Sequence, residues 1–357
     1  MDFELTQDQQ IFYDSVKRFA VNELADGAVD RANSDGYLWD IAARFAEMGL
    51  LGITIPESKG GIGGSLTDAV LAIQAIAEVC PRSADVVQAG NFGAIRTFAE
   101  YANADQLARF LPDLLAGKGV MSVGMSEPDA GSSVTELKTS ATPDGDDFLV
   151  NGSKVFGTNS GDAEVFLIYL RFGPGTEGIG SALIEKGTAG FEIGPGYRYM
   201  NGESWSPLYF DNCRIPKASI LLGSGGFKKQ ISGFNIERLG NAARAVAVGR
   251  KAFNEARDHA KTRRQFGRDI CEFQGLQWKF AEMKMRLEAA QLLLMRAVTR
   301  ADNDLPSAQD SALAKLACND AGFYAANEAL QIMGALGFSD DNIVQYCMRR
   351  TRGWMIA

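Results

Sequence analysis

Residues 121–139, MSVGMSEPDAGSSVTELKT, are where the texture of the chain changes. A short apolar run gives way to a turn dense in Ser126, Pro128, Asp129, Gly131, Ser132 and Ser133, and such clusters between apolar runs read as strands joined by loops. The pattern holds to about residue 226. This stretch carries 19 of the 39 glycines and 6 of the 10 prolines in under a third of the 357 residues. Its apolar runs are short: FLVNG at 148–152, VFLIYL at 165–170, SALIEK at 181–186 and PLYFDNCRI at 207–215. The expectation is an antiparallel β-domain over 119–226.

On both sides the chain reads as helix. Before it, LTQDQQIFYDSVKRFAVNEL (5–24) places Ile11, Phe12, Val16, Phe19, Ala20 and Leu24 on one helical stripe, with Thr6 as N-cap. YLWDIAARFAEMGLLG (37–52), LTDAVLAIQAIAEVC (66–80) and ADVVQAGNFGAIRTFAEY (84–101) repeat the pattern, and a short helix follows with Asn103 or Asp105 as its cap. After it come long alanine-rich segments at 227–264, 273–301 and 307–337, which usually pack as an antiparallel bundle. The expected fold class is α+β, with an N-terminal α-helical domain over 1–118, the middle β-domain over 119–226 and a C-terminal helical bundle over 227–357.

Composition narrows the function classes. With 46% hydrophobic and 22% charged residues the chain is an ordinary globular one. Its 36 basic and 44 acidic side chains give a net charge of -8, which offers no electrostatic reason to bind nucleic acid or an anionic membrane. The five cysteines are scattered without a CxxC pair, as expected of free thiols in the cytosol. The start, MDFELTQDQQIFYDSV, has no apolar signal region, and no apolar run has the length of a membrane span. There is one histidine, His259, amid charged residues, so a Ser-His-Asp triad or a zinc site built on several histidines is close to excluded and no metal is expected. For acid-base chemistry a carboxylate is the first suspect.

Four stretches could carry chemistry, and each also has a plain structural reading. SEPDAGSS (126–133) could present backbone N–H groups and hydroxyls to a polar or anionic ligand, or be a polar turn. In NGSKVFGTNSG (151–161) Phe156 could belong to the core or flank a planar ring beside Thr158. In FNIERLGNAARAVAVG (234–249) Glu237 and Arg238 interrupt an apolar face. They either face solvent and other helices, or Glu237 enters an apolar cavity where desolvation raises its pKa toward that of a general base. KTRRQFGRDICEFQ (261–274) complements a helix dipole or clamps phosphate.

The order of these stretches is specific. Together with GLLGITIPESKGGIGGS (49–65) and QIMGALGF (331–338), they make the chain resemble the acyl-CoA dehydrogenase family along essentially its whole length. The resemblance implies a C-terminal four-helix domain, FAD as cofactor, and a homotetramer that is a dimer of dimers. It carries flavin contacts onto Met125, Ser126 and Ser132, the last also near the CoA pyrophosphate, and onto Phe156, Gly157 and Thr158 along the isoalloxazine. Arg263, Phe266 and Gln274 match residues that hold the ADP half of FAD across the dimer interface, and Gln331, Ile332 and Gly334 match the loop that reaches the partner's FAD. Asn235 and Arg238 match an Asp and Arg pattern that contacts CoA.

In most members the catalytic glutamate follows a tyrosine in a C-terminal YEGT-like loop, shortly after an RD pair. The counterpart here is RRTRGWMIA (349–357), in which Arg350 takes the aspartate's place and Ala357 falls one residue before the glutamate's. The isovaleryl-CoA and long-chain types instead carry the glutamate on the long helix before RL, and Glu237 in NIERLGNAA matches it. The implied reaction is α-proton abstraction by Glu237 with hydride transfer to flavin N5, giving a trans-2-enoyl-CoA whose electrons pass to an electron-transfer flavoprotein. Two alternatives stay open: a fold relative with other flavin chemistry (an acyl-CoA desulfinase, a nitroalkane-oxidase-like enzyme or a flavin monooxygenase), and a non-catalytic binding or assembly protein. Arg82 and Arg96 either carry surface charge or face the acyl pocket and select an acidic acyl group.

Overall fold

The computed structural model describes residues 4–301 and 305–356; positions 1–3, 302–304 and Ala357, which belong to the expected terminal domains, lie outside the described residues. Helices α1 (Gln7–Leu24), α2 (Ala28–Asn33), α3 (Trp39–Glu47), α4 (Leu66–Ala77), α5 (Ala84–Asn91), α6 (Gly93–Tyr101) and α7 (Ala104–Leu115) occupy the N-terminal part. Reciprocal caps start α1, α4 and α7, where Thr6 pairs with Gln9, Ser65 with Asp68 and Asn103 with Gln106, so orphan N–H groups are satisfied locally. Apart from Asp68, every residue of α4 is buried. A helix that is apolar on all sides belongs in the interior, and α4 accordingly packs between α1 and α8.

The middle part is built from β1 (Met121–Gly124), β2 (Ser140–Asp144), β3 (Asp147–Lys154), β4 (Val165–Arg171), β5 (Ile179–Glu185), β6 (Phe191–Ile193), β7 (Tyr197–Arg198), β8 (Ser204–Trp205), β9 (Leu208–Pro216) and β10 (Ile220–Leu222). Its main sheet runs β10-β5-β4-β2-β3-β9-β6. Most neighbours are antiparallel, but β1 pairs parallel to β4, Met121 beside Val165, and β2 meets β4 in parallel at Ser140 and Arg171. The expectation of an antiparallel domain therefore holds for most of the sheet and not for the pairings of β1 and β2 with β4. The β2–β3 hairpin intervenes between β1 and β4, so the two strands can lie side by side in the same direction.

The run VFLIYL is buried on both faces because it serves two cores. Val165, Leu167 and Tyr169 join Ile95, Phe98 and Leu111 from α6 and α7, whereas Phe166, Ile168 and Leu170 join Val150, Phe210 and Ile215 inside the β-domain. Alternate residues of a strand face opposite ways, so β4 ties the β-domain to the helices before it.

The C-terminal part comprises α8 (Phe227–Thr262), the hairpin β11 (Arg264–Gln265) and β12 (Arg268–Asp269), then α9 (Gln274–Ala301), α10 (Ala308–Met333), the short α11 (Ala335–Phe338) and α12 (Ile343–Ile356). Buried Ala242, Ala245, Ala252, Ala314 and Ala325 let α8 and α10 approach along their length. Helix α8 also packs on α4, α5 and α6, so it is shared between the two helical parts. His259, amid charged residues in the last turn of α8, is half-buried. Among the described residues the cysteines are free, and no helix is long and apolar enough to cross a membrane.

Candidate active site

Glu237 lies where α8 meets the α5–α6 corner. Its neighbours Ile236 and Leu239 are buried, while its own side chain is half-buried and aimed at the N-terminal helices. Gln88 Nε2 donates to Glu237 Oε2 at 2.7 Å. Gly93, the first residue of α6, faces the same oxygen so closely that a Cβ there would stand 2.7 Å from it. Desolvation pushes the Glu237 pKa up to about 7; the charge of Arg244 and the Gln88 hydrogen bond pull against it, and Glu203 adds to it. A carboxyl that titrates near neutrality is both available as a base and strong enough to matter.

Behind Glu237 lies a buried charge cluster that sequence reading missed. Asp85 Oδ1 pairs with Arg244 Nη1 at 2.8 Å, and Asp85 Oδ2 pairs with Arg350 Nη2 at 2.5 Å and Arg82 Nη1 at 3.2 Å. Arg350 Nη1 in turn reaches Glu203 Oε1 at 2.6 Å. Both Arg244 and Arg350 stand over the Trp354 ring, 4.8 and 5.1 Å from its centre. Burial alone would raise the Asp85 pKa, but Arg350, Arg244 and Arg82 together hold it well below the carboxylate range. Arg350 is thus no loose replacement for an aspartate: its side chain is 1% exposed and its charge is matched from two other elements. Arg82, also buried, donates to Asp85 and to the Gly36 carbonyl, so it is neither a surface charge nor a free acyl selector. Arg96 pairs with Glu100 on its own helix.

Five of the expected flavin contacts meet at the ends of β1 and β3. The Val155 N–H donates to the Ser126 carbonyl at 2.9 Å, Lys154 Nζ donates to the Met125 carbonyl at 3.2 Å, and Ser122 Oγ donates to the Thr158 carbonyl at 2.7 Å. A Cβ at Gly157 would meet the Val123 carbonyl at 2.9 Å, so glycine lets Phe156–Thr158 lie close against β1. Phe156, at φ 65, and Thr158 are left exposed, and Trp205 meets the Phe156 ring edge-on at 4.7 Å. Outward hydroxyls beside exposed aromatic rings are the donor set that a planar, polar ring takes, and the segment fits FAD on that ground.

The turn after β1 is anchored by Glu127, a second residue not foreseen. Its carboxylate accepts from the Lys138 and Thr139 N–H groups and from the buried Lys154, 2.8 Å away. Desolvation brings the Lys154 pKa down to about 8 in spite of that partner. Ser132 is exposed beyond this anchor. Arg263, Phe266 and Gln274 are exposed around the β11–β12 hairpin, and Gln331 and Gly334 are exposed at the end of α10, where Ile332 is buried. Asn235 is committed to the fold: Nδ2 donates to the Pro306 carbonyl at 3.1 Å and Oδ1 accepts from Arg238 at 2.6 Å.

Family models match three successive stretches: "Acyl-CoA dehydrogenase, N-terminal domain" over 6–118, "middle domain" over 122–213 and "C-terminal domain" over 224–357. The chain belongs to the acyl-CoA dehydrogenase family. Among relatives, the short-chain-specific acyl-CoA dehydrogenase of Clostridium acetobutylicum is 31% identical over 354 residues, 98% of this chain and 93% of its own length. The 3-sulfinopropanoyl-CoA desulfinase of Advenella mimigardefordensis is 32% identical over 366 residues, 99% of this chain and 91% of its own. A solved FAD complex of PigA superposes with a TM-score of 0.92 at 25% identity, covering all of this acyl-CoA dehydrogenase family chain and 95% of PigA.

Proposed function

We propose that this protein catalyses FAD-dependent α,β-dehydrogenation of an acyl-CoA thioester to a trans-2-enoyl-CoA, with Glu237 as the base. The observation that carries the assignment is the half-buried Glu237 carboxyl, set against Gln88 and Gly93 with a pKa raised to about 7. A thioester α-proton is weakly acidic, so its removal needs a positioned base and donors at the carbonyl oxygen. Glu237 takes the proton as the Cα–H bond breaks, and the enclosed setting keeps water from competing for it. Bound FAD supplies the acceptor for the hydride that leaves the β-carbon.

Met125, Ser126, Ser132, Phe156, Gly157 and Thr158 hold the flavin end, and Ser132, Asn235 and Arg238 lie toward CoA. For Asn235, whose polar atoms are already engaged, the role is to orient Arg238 rather than to touch CoA. Arg263, Phe266, Gln274, Gln331, Ile332 and Gly334 complete the site of a neighbouring copy. In support, Phe266 is 93% exposed at the hairpin tip with φ 50, an arrangement that is costly without something to pack on. Helix α9 also exposes Trp278, Met285 and Leu292 at seven-residue spacing, a stripe suited to a helix of a second subunit. The assembly is a homotetramer in the cytosol, and its electrons pass to an electron-transfer flavoprotein.

Anaerobic bleaching of the flavin by a panel of straight, branched, cyclic and carboxylated acyl-CoAs tests the activity, with enoyl-CoA as the expected product. Release of sulfite from a sulfinylated acyl-CoA without enoyl-CoA would assign the desulfinase reaction instead, and protein that fails to take up FAD would support a non-catalytic role. For the assembly, Trp278→Glu with Met285→Glu should lower the mass measured by light scattering from that of a tetramer. An unchanged mass would remove α9 from the interface.

A further inference from the structure

Gln88 is 5% exposed, and its carboxamide lies on the bare backbone of Gly240, one turn along α8 from Glu237. A Cβ at Gly240 would stand 2.1 Å from Gln88 Oε1 and 2.8 Å from both Cδ and Nε2. The glycine therefore makes the seat in which the amide is held. From that seat Nε2 reaches Glu237 Oε2 at 2.7 Å, while Oε1 is buried with no hydrogen-bond partner. An orphaned buried acceptor is costly and calls for a reason; here it accompanies the one orientation that aims the N–H at the glutamate. Gly93 confines the same glutamate oxygen. The Glu237 carboxylate is thus held at Oε2 between Gly93 and the Gln88 amide, itself seated on Gly240, which leaves its second oxygen to take a proton.

We propose that Gln88, seated on Gly240, is the positioning residue of the Glu237 base, fixing the direction of its carboxylate and favouring its ionised form. The inference rests on Glu237 being the base. An N–H donated to a carboxylate stabilises the charged state and lowers the pKa. The charged groups that bear on Glu237 are Arg244 on its own helix and Glu203 from the β7–β8 turn. Behind them Asp85 of α5 pairs with Arg244, with Arg82 just before α5 and with Arg350 of α12, and Arg350 in turn pairs with Glu203. None of these takes the place of the Gln88 hydrogen bond at Oε2.

The test replaces Gln88 with methionine, which keeps the length and removes the donor. Single-turnover bleaching by acyl-CoA, followed against pH, should show its acidic limb moved up by about one pH unit in Gln88→Met. Infrared difference spectra across the same pH range report the protonated carboxyl band that disappears in Glu237→Gln, and this band should move by the same amount without turnover. Gly240→Ala, whose methyl displaces the amide from its seat, should reproduce the shift and stands in if Gln88→Met does not fold. Limbs and infrared titrations that coincide with wild type in folded, FAD-loaded variants would overturn the proposal. Should Glu237→Gln bleach normally, the assignment of the base fails, yet the infrared titration still decides whether Gln88 governs this carboxyl.

Discussion

Glu237→Gln, purified with its FAD, should be reduced by acyl-CoA about 10²- to 10⁴-fold more slowly than wild type in a single anaerobic turnover, the loss expected when a general base is removed. Gln keeps the size and the polar contact to Gln88 but cannot accept a proton. Because burial has raised the Glu237 pKa to about 7, the wild-type rate should climb with pH through that value and then level, and the residual rate of the variant should be flat there. Stability runs the other way. A carboxyl whose folded pKa lies above its unfolded one contributes its full share below the unfolded pKa, near 4.3, and loses it as pH rises through about 7. Glu237→Gln should therefore unfold at a higher temperature than wild type above neutral pH and similarly at pH 4. Unchanged bleaching in a folded, FAD-loaded variant would remove Glu237 as the base.

Much of the fold and of the candidate site is legible in local sequence. Glu237 shows in the chain as a charge on an apolar helical face, and Thr6 and Asn103 as caps beside residues that complete them. The Phe156–Thr158 segment likewise follows from residues adjacent in the chain. What the chain conceals is long-range pairing. Gln88 reads as an ordinary polar residue of an apolar helix, and its partner is 149 positions away. Asp85 and Arg350 are separated by 265 positions, and neither charge announces that it will be buried, since Asp and Arg are rarely so unless paired. Arg350 was visible as a reversal of charge, but Asp85 and Glu203, which compensate it, lie in different elements. The parallel placement of β1 was hidden for the same reason: its run MSVG has no local feature that names β4 as a neighbour.

The largest effect on stability should come from Asp85→Ala. Removing one member of a buried ion pair leaves the other charge uncompensated and costs about 3–5 kcal/mol. Here Arg350 would keep Glu203 and the face of Trp354, and Arg244 would keep only the face of Trp354. Because these partners come from α5, α8, α12 and the β7–β8 turn, the loss should appear as a lower unfolding midpoint of the whole FAD-loaded protein rather than as fraying of one helix. The pH dependence has a definite sign. Asp85 is held below its ordinary pKa by Arg350, Arg244 and Arg82 against the cost of burial, so its contribution is complete above the unfolded value near 3.9 and is lost as pH falls below it. Wild type should therefore lose stability on acidification more steeply than Asp85→Ala, and the two midpoints should converge at low pH. Asp85→Ala with Arg350→Met removes the most deeply buried cation of the cluster along with its partner, and it should recover part of the loss; additive losses in the double variant would mean that the pair is not coupled. The same substitution reaches Glu237, the proposed base, with a sign opposite to that of Gln88→Met. Without Asp85 the positive charge of Arg244 acts on Glu237 unopposed, so the acidic limb of flavin bleaching should move to lower pH.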